Sequence, residues 1–207
     1  MKRTETMLIG FAVACVFAAT AHAQEVPGVS KAAEDKTVNL CSTCHGPHGI
    51  STSPEFPILA AQQKEYLVNQ LHAFRERSRS EKDAHDFMWG IAGGLDDAMI
   101  SQIAIFYSAQ PPAPGRAGGD PAQIASGKKL FDQGSPDRGI PACASCHGDH
   151  AAGMGLFPRL AGQHAKYVAK QLNYIQSLVR AAPVMHGIVK DLAPAEIVAL
   201  AAYVQSL

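Results

Sequence analysis

Four cysteines of this chain fall in two pentapeptides of one pattern, Cys41-Ser42-Thr43-Cys44-His45 and Cys143-Ala144-Ser145-Cys146-His147. Two thiols three positions apart can each add to one vinyl group of a haem while the adjacent histidine puts an imidazole under the iron, and C-x-x-C-H is the attachment signature of c-type haem. With 5 cysteines and 9 histidines in 207 residues, chance supplies roughly 0.005 such pentapeptides, so two copies are signal. They predict two covalently bound haem c groups, tethered by Cys41, Cys44, Cys143 and Cys146, with His45 and His147 as the proximal iron ligands. Other cysteine chemistries fit less well. A zinc site would have to join the pairs across the 98 residues between Cys44 and Cys143, where such modules span about 15–20, and it would leave both histidines idle. A redox-active disulfide normally sits on a βαβ framework, and neither pair is flanked by strand-like alternation.

What fills the second axial position of a haem iron decides between electron transfer and chemistry on a bound ligand. Met88 and Met185 lie 43 and 38 residues after His45 and His147, in glycine-containing segments that read as loops before the last helix of each half. A thioether there raises the potential and closes the iron to other ligands. A lone methionine is usually core filler, but two at equivalent positions of a repeat point to ligation. Met99 shares a helical face with Leu95 and Ile103 and reads as core, and Met154 has no counterpart. His85, three residues before Met88, and His186, directly after Met185, are the rival ligands that would give bis-histidine iron; neither recurs in the other half, and both read as exposed. His48 and His150 read as surface residues beyond the haem motifs. Arg79 and Arg180 recur, either as donors to haem propionates or on a solvated face.

These groups are positioned by a duplication. Phe56-Pro57-Ile58-Leu59-Ala60-Ala61-Gln62 returns as Phe157-Pro158-Arg159-Leu160-Ala161-Gly162-Gln163, and Tyr66, Gln70 and Leu71 return as Tyr167, Gln171 and Leu172, at an offset of 101 that drops to 97 by Met88 and Met185. The periodicity within each half is helical: Tyr66, Gln70, Leu71 and Phe74 share a face, as do Tyr167, Gln171, Leu172 and Ile175. Leu95, Met99, Ile103 and Phe106, and Ile197, Leu200, Ala201 and Val204, mark closing helices. Short helices are expected before each motif, near Lys31 to Leu40 and Pro121 to Phe131, with Pro121 suited to a first turn. The fold class predicted is all-α. The proline- and glycine-rich stretch 110–120 reads as a linker between a first domain, 24–109, and a second, 121–207. Each half is small enough for a core of side chains alone to be marginal, and a haem would supply the missing apolar core.

Composition closes off other classes. The chain is 47% hydrophobic and 17% charged, a globular profile. Its 18 basic and 18 acidic residues cancel, with no basic run to neutralise phosphates, so nucleic-acid binding is not expected. Lys2 and Arg3, the apolar run Met7 to Ala19 and Ala21-His22-Ala23 form a secretory signal over residues 1–23, too short in its apolar part to span a bilayer. Its removal would take Cys15 away and leave a periplasmic protein that becomes acidic once haem propionates are counted.

The chain resembles the dihaem cytochrome c4 family, tandem class I cytochrome c domains. The resemblance covers essentially all of the mature chain. It is carried by Cys41 to Gly46 and Cys143 to Gly148, by the Ile140-Pro141-Ala142 lead-in, by both Leu-Ala-x-Gln stretches with their following tyrosine and Gln-Leu, and by the two late methionines. It implies two haem domains facing each other, with electrons passed between the haems and on to a membrane terminal oxidase. The first copy departs from the pattern at Ala61, where the second has Gly162, and its loop around Met88 is longer. The function expected is that of an electron carrier rather than an enzyme, taking electrons from quinol-cytochrome c reductase or another donor, with membrane association only through partners. The alternatives are the haem subunit of a periplasmic dehydrogenase, or an enzyme such as a dihaem peroxidase or thiosulfate-oxidising cytochrome, which would need an open, bis-histidine or thiolate-ligated haem.

Overall fold

The computed structural model describes residues 26–116 and 118–207, so the predicted signal, 1–23, lies outside the described residues. Ser30 opens the first helix by accepting the Ala33 N–H on its side chain, and α1 (Lys31–Lys36) runs through a π-helical turn, Thr37–Cys41, directly into α2 (Ser42–His45). The first haem motif is therefore the end of one helical run. Gly46, at φ 75°, turns the chain away in a conformation that suits glycine. Next come α3 (Lys64–Arg75), a second π-helical turn Ala84–Met88 that leads into α4 (Trp89–Gly93), and α5 (Asp97–Ser108). The Asp96 carboxylate caps α5 by accepting the Met99 N–H at 2.7 Å.

The second half repeats this order with α6 (Pro121–Gln133), α7 (Ala144–His147), α8 (Ala165–Gln176), α9 (Pro183–Val189) and α10 (Pro194–Ser206). Asp120 caps α6 through the Ala122 N–H at 2.9 Å, with Pro121 in the first turn. Among the described residues no strand forms beyond two isolated bridges, Ser135 with Ile140 and Met154 with Phe157. The all-α expectation holds. One local expectation does not: Met88 and Met185 sit in helical segments, not loops. Gly90 and Gly187 suggested loops, but both lie in short helices where an added Cβ would meet nothing within 4 Å. Their helix-weakening entropy, about 1 kcal/mol, is overridden by burial of other residues in the same helices, Ala92 in the first and Val189 in the second.

Each half has its own apolar cluster, Leu67, Leu95, Ile100, Ile103, Phe106 and Tyr107 in the first, and Leu130, Phe131, Val168, Ile197, Leu200 and Val204 among others in the second. In the second half α6 crosses α10 at Gly127, where a Cβ would run into the Ala199 backbone. We expect Gly127→Ala to destabilise the holoprotein by about 3 kcal/mol, the upper end of overpacking costs, read by thermal unfolding; an unchanged melting temperature would mean the crossing relaxes freely. The stretch between α5 and α6 is less free than its composition suggests. Ala113 is buried with Ile58 and Ala60, and the Arg116 N–H donates to Gln205 O at 2.9 Å.

Candidate haem sites

Within each motif one helical turn brings the two sulfurs to one side and carries the histidine inward. His45 is 8% exposed and His147 is 4% exposed. The His45 Nδ1–H donates to Pro57 O at 2.9 Å and the His147 Nδ1–H donates to Pro158 O at 3.0 Å, so both rings are fixed in the tautomer that leaves Nε2 as the free lone pair. The buried His147 Nε2 has no partner among the described residues. Burial, the larger effect, holds both imidazoles below their ordinary pKa, against a smaller upward pull from the proline carbonyls. Neutral imidazole is the ligand form. Burial also pushes the Cys41 thiol up and the Cys143 thiol up to about 11. That is opposite to the lowered thiol pKa a redox-active C-x-x-C pair uses.

Both motifs open on a single, mostly apolar cavity of about 1000 Å³ shared by the halves. One organic ligand typically occupies about 300–1,000 Å³. Met88 and Met185 line it, together with His45, His147 and all four motif cysteines; His85, His186, Met99 and Met154 do not. His85 is exposed and pairs through Nδ1 with Asp86 at 2.8 Å. His186 has another task. Its Nδ1–H donates to Ile175 O at 3.0 Å, and in the first half the Trp89 indole N–H likewise donates to Arg79 O at 2.8 Å. The side chain immediately after each methionine thus pins that methionine's segment to the body of its half. His48 and His150 are exposed, as expected.

Arg79 and Arg180 are not on a solvated face: they are 6% and 8% exposed and line the cavity. Arg79 pairs with the fully buried Glu81 and donates to Gln70 Oε1 at 2.9 Å and, across the halves, to Gln171 Oε1 at 3.1 Å. Arg180 donates to Gln171 Oε1 at 2.7 Å and reaches back to Tyr66 Oη and Gln70 Oε1, both at 3.0 Å. Two guanidiniums against one carboxylate leave this buried cluster with a surplus positive charge beside the cavity. At the outer edge, Lys166 and Lys170 of the second half both pair with Glu55 of the first, and Lys170 also meets Asp83 at 2.5 Å.

The junction carries a titratable group too. His164 is 3% exposed, and its Nε2–H donates to Ser51 O at 3.0 Å, with Arg116 Nη2 3.4 Å away. Burial first, and the Arg116 charge second, hold His164 below its ordinary value of 6.5. In the window below 6.5 the unfolded chain then binds a proton that the folded chain refuses, so stability is lost as the pH drops through that window. His164→Gln should narrow the difference in melting temperature between about pH 7 and about pH 5; an unaltered difference would show that His164 does not contribute to it.

Tethering sulfurs, a neutral histidine with a free Nε2 and an apolar cavity fit a covalently bound haem in each half, and together with the repeated helices they define a protein of two class I cytochrome c units. Known proteins agree. Residues 124–207 match the cytochrome c family model. A cytochrome c4 of Thiocapsa roseopersicina is 38% identical over 186 residues, 87% of this chain and 93% of that one. The solved structure of Acidithiobacillus ferrooxidans cytochrome c4 matches with a TM-score of 0.76 at 39% identity, covering 81% of this chain and 98% of that one. This chain belongs to the cytochrome c4 family of electron-transfer cytochromes, with two covalently bound haem c groups. A thiosulfate dehydrogenase electron acceptor of Thiomonas intermedia is also similar, 36% identical over 64% of this chain and 60% of that one.

The cysteines, histidines and methionines that the sequence pattern nominates all line the shared cavity. That pattern missed the roles of Glu81, Trp89, Gln62 and Gln163. For the two glutamines a signal existed, since they recur at the constant offset in a stretch with no helical periodicity.

Proposed function

We propose that this protein carries single electrons in the periplasm between respiratory-chain components, from quinol-cytochrome c reductase or another donor toward a terminal oxidase. In this reading Cys41 and Cys44 tether one haem and Cys143 and Cys146 the other, with His45 and Met88, and His147 and Met185, as axial ligands. The observation that carries it is that in each half a histidine with its Nδ1–H already committed and a methionine on a pinned segment face one cavity. Bound haem supplies a one-electron couple at its iron. The chain's part is to close the iron to other ligands with a thioether, which raises the potential, and to exclude water. The surplus charge of Arg79 and Arg180 over Glu81 suits them to receive propionates. Residues 1–23 act as the export signal, and 24–109 and 121–207 as the two haem domains joined by 110–120.

A second reading, the haem subunit of a periplasmic dehydrogenase, is favoured by the likeness to a thiosulfate dehydrogenase electron acceptor. Stopped-flow mixing separates the two: the reduced holoprotein should be oxidised rapidly by a solubilised cytochrome oxidase and should not bind carbon monoxide. Carbon monoxide binding to the untreated reduced protein would overturn the carrier reading, and reduction only by a dehydrogenase with its substrate, without oxidation by the oxidase, would favour the second.

A further inference from the structure

Each half grips one backbone residue of the other with a buried glutamine. Gln163 Oε1 accepts the Ile58 N–H at 2.9 Å, and Gln163 Nε2 donates to Ile58 O at 2.9 Å. Gln62 treats Arg159 in the same way, accepting its N–H at 2.7 Å and donating to its carbonyl at 2.9 Å. Both glutamines are 7% exposed, and both the glutamines and the residues they grip are related by the repeat offset of 101. The contacts are reciprocal.

What they grip matters more than the grip itself. The Ile58 N–H belongs to the same peptide unit as the Pro57 carbonyl, which accepts the His45 Nδ1–H at 2.9 Å. The Arg159 N–H likewise shares a peptide with the Pro158 carbonyl, which accepts the His147 Nδ1–H at 3.0 Å. A planar amide that donates at N–H and accepts at C=O is polarised by both bonds, and each strengthens the other. One chain of hydrogen bonds therefore runs from Gln163 of the second half to the imidazole of the first, and its mirror runs from Gln62 to the imidazole of the second.

We propose that Gln62 and Gln163 are crossed positioning residues, each fixing and polarising the carbonyl that holds the other half's proximal histidine, so that each haem's potential is set in part from the opposite half. The inference rests on His45 and His147 being the proximal ligands. A stronger acceptor at Nδ1–H makes the imidazole a better electron donor, which favours ferric iron. Loss of the glutamine amide therefore raises the potential of the haem across the interface.

The test is an NMR-monitored redox titration of the intact holoprotein carrying Gln163→Met, which keeps the side chain's length and removes the amide. At fixed poise the reduced-to-oxidised ratio of the first-half haem should rise about threefold, about 28 mV at 59 mV per tenfold for one electron, with the second-half haem unmoved and the His45 Nδ1–H resonance shifted. Gln62→Met should move the second-half haem alone. Gln163→Glu keeps an acceptor for the Ile58 N–H and adds charge, so it should move the first-half haem the opposite way, where a mere packing defect would move it as Gln163→Met does. A shift confined to the mutated half, equal shifts of both haems, or no shift would overturn the proposal. Failure of the ligand reading looks different: the wild-type reduced protein would then lack porphyrin-shifted signals from His45 and His147.

Discussion

Met185→Ala in the holoprotein is expected to lower the potential of the second-half haem by about 0.2 V, a fraction of the roughly 0.8 V range that axial ligands span. It should also abolish that haem's share of the methionine-to-iron charge-transfer band and let carbon monoxide bind there. Met88→Ala should do the same in the first half. The effects should stay local, because each methionine segment is held by a neighbour that the substitution spares: the Trp89 indole on Arg79 O at 2.8 Å, and the His186 ring on Ile175 O at 3.0 Å. Separate electrochemical titrations of the two variants, read with oxidised-state spectra, check this. Retention of the full charge-transfer band in both would remove the methionines from the iron.

The second large effect is on stability. Arg79 is the only hydrogen-bonding partner of the Glu81 carboxylate among the described residues, through Oε1, while the buried Glu81 Oε2 has none. Arg79→Leu would strand a carboxylate in the interior, and breaking a buried pair from one side costs about 3–5 kcal/mol. For a chain of this size that is a fall in melting temperature on the order of 10 °C. The double variant Arg79→Leu with Glu81→Leu should recover most of the loss, because replacing both partners by apolar groups removes the uncompensated charge along with the bond. Calorimetry of the two single variants and the double closes the cycle. Additive losses would mean that Arg79 and Glu81 do not depend on each other.

The haem tethers, the histidines, the duplication and the helices around Phe74 and Ile175 were legible because they are local in sequence or strictly periodic. The methionine segments were read as loops because Gly90 and Gly187 are helix-weakening residues whose cost is overcome only by tertiary packing. Glu81 gave no signal: the repeat has Ala182 in its place, and a single acidic residue in a polar stretch resembles any surface carboxylate until Arg79 is seen beside it. Gly127 gave none either, since a glycine inside a helix acquires meaning only from the α10 backbone laid across it. Arg79 and Arg180 were recognised as recurring, but an arginine's burial depends on the opposite half, which no spacing within one half can reveal. The helix near Lys31 to Leu40 was anticipated, whereas its unbroken continuation through a π-helical turn into Cys44 and His45 was not.

The reciprocal glutamine contacts have the form of a symmetric homodimer, in which residue i of one subunit meets j of the other and j meets i. A single ancestral unit with such a glutamine would already possess the reciprocal part of the junction, whereas the ion pairs of Lys166 and Lys170 with Glu55 have no counterpart in the other direction. Fusing two copies end to end keeps those glutamine contacts and turns dimerisation into a docking event at roughly millimolar effective concentration, independent of how much protein is made. It also lifts a restriction. Identical subunits must hold identical sites, whereas a fused pair can place a carboxylate at Glu81 opposite Ala182, and an indole at Trp89 opposite the imidazole of His186. Divergence of the two copies around the preserved glutamine contacts is what allows one polypeptide to hold two haem sites with unlike surroundings.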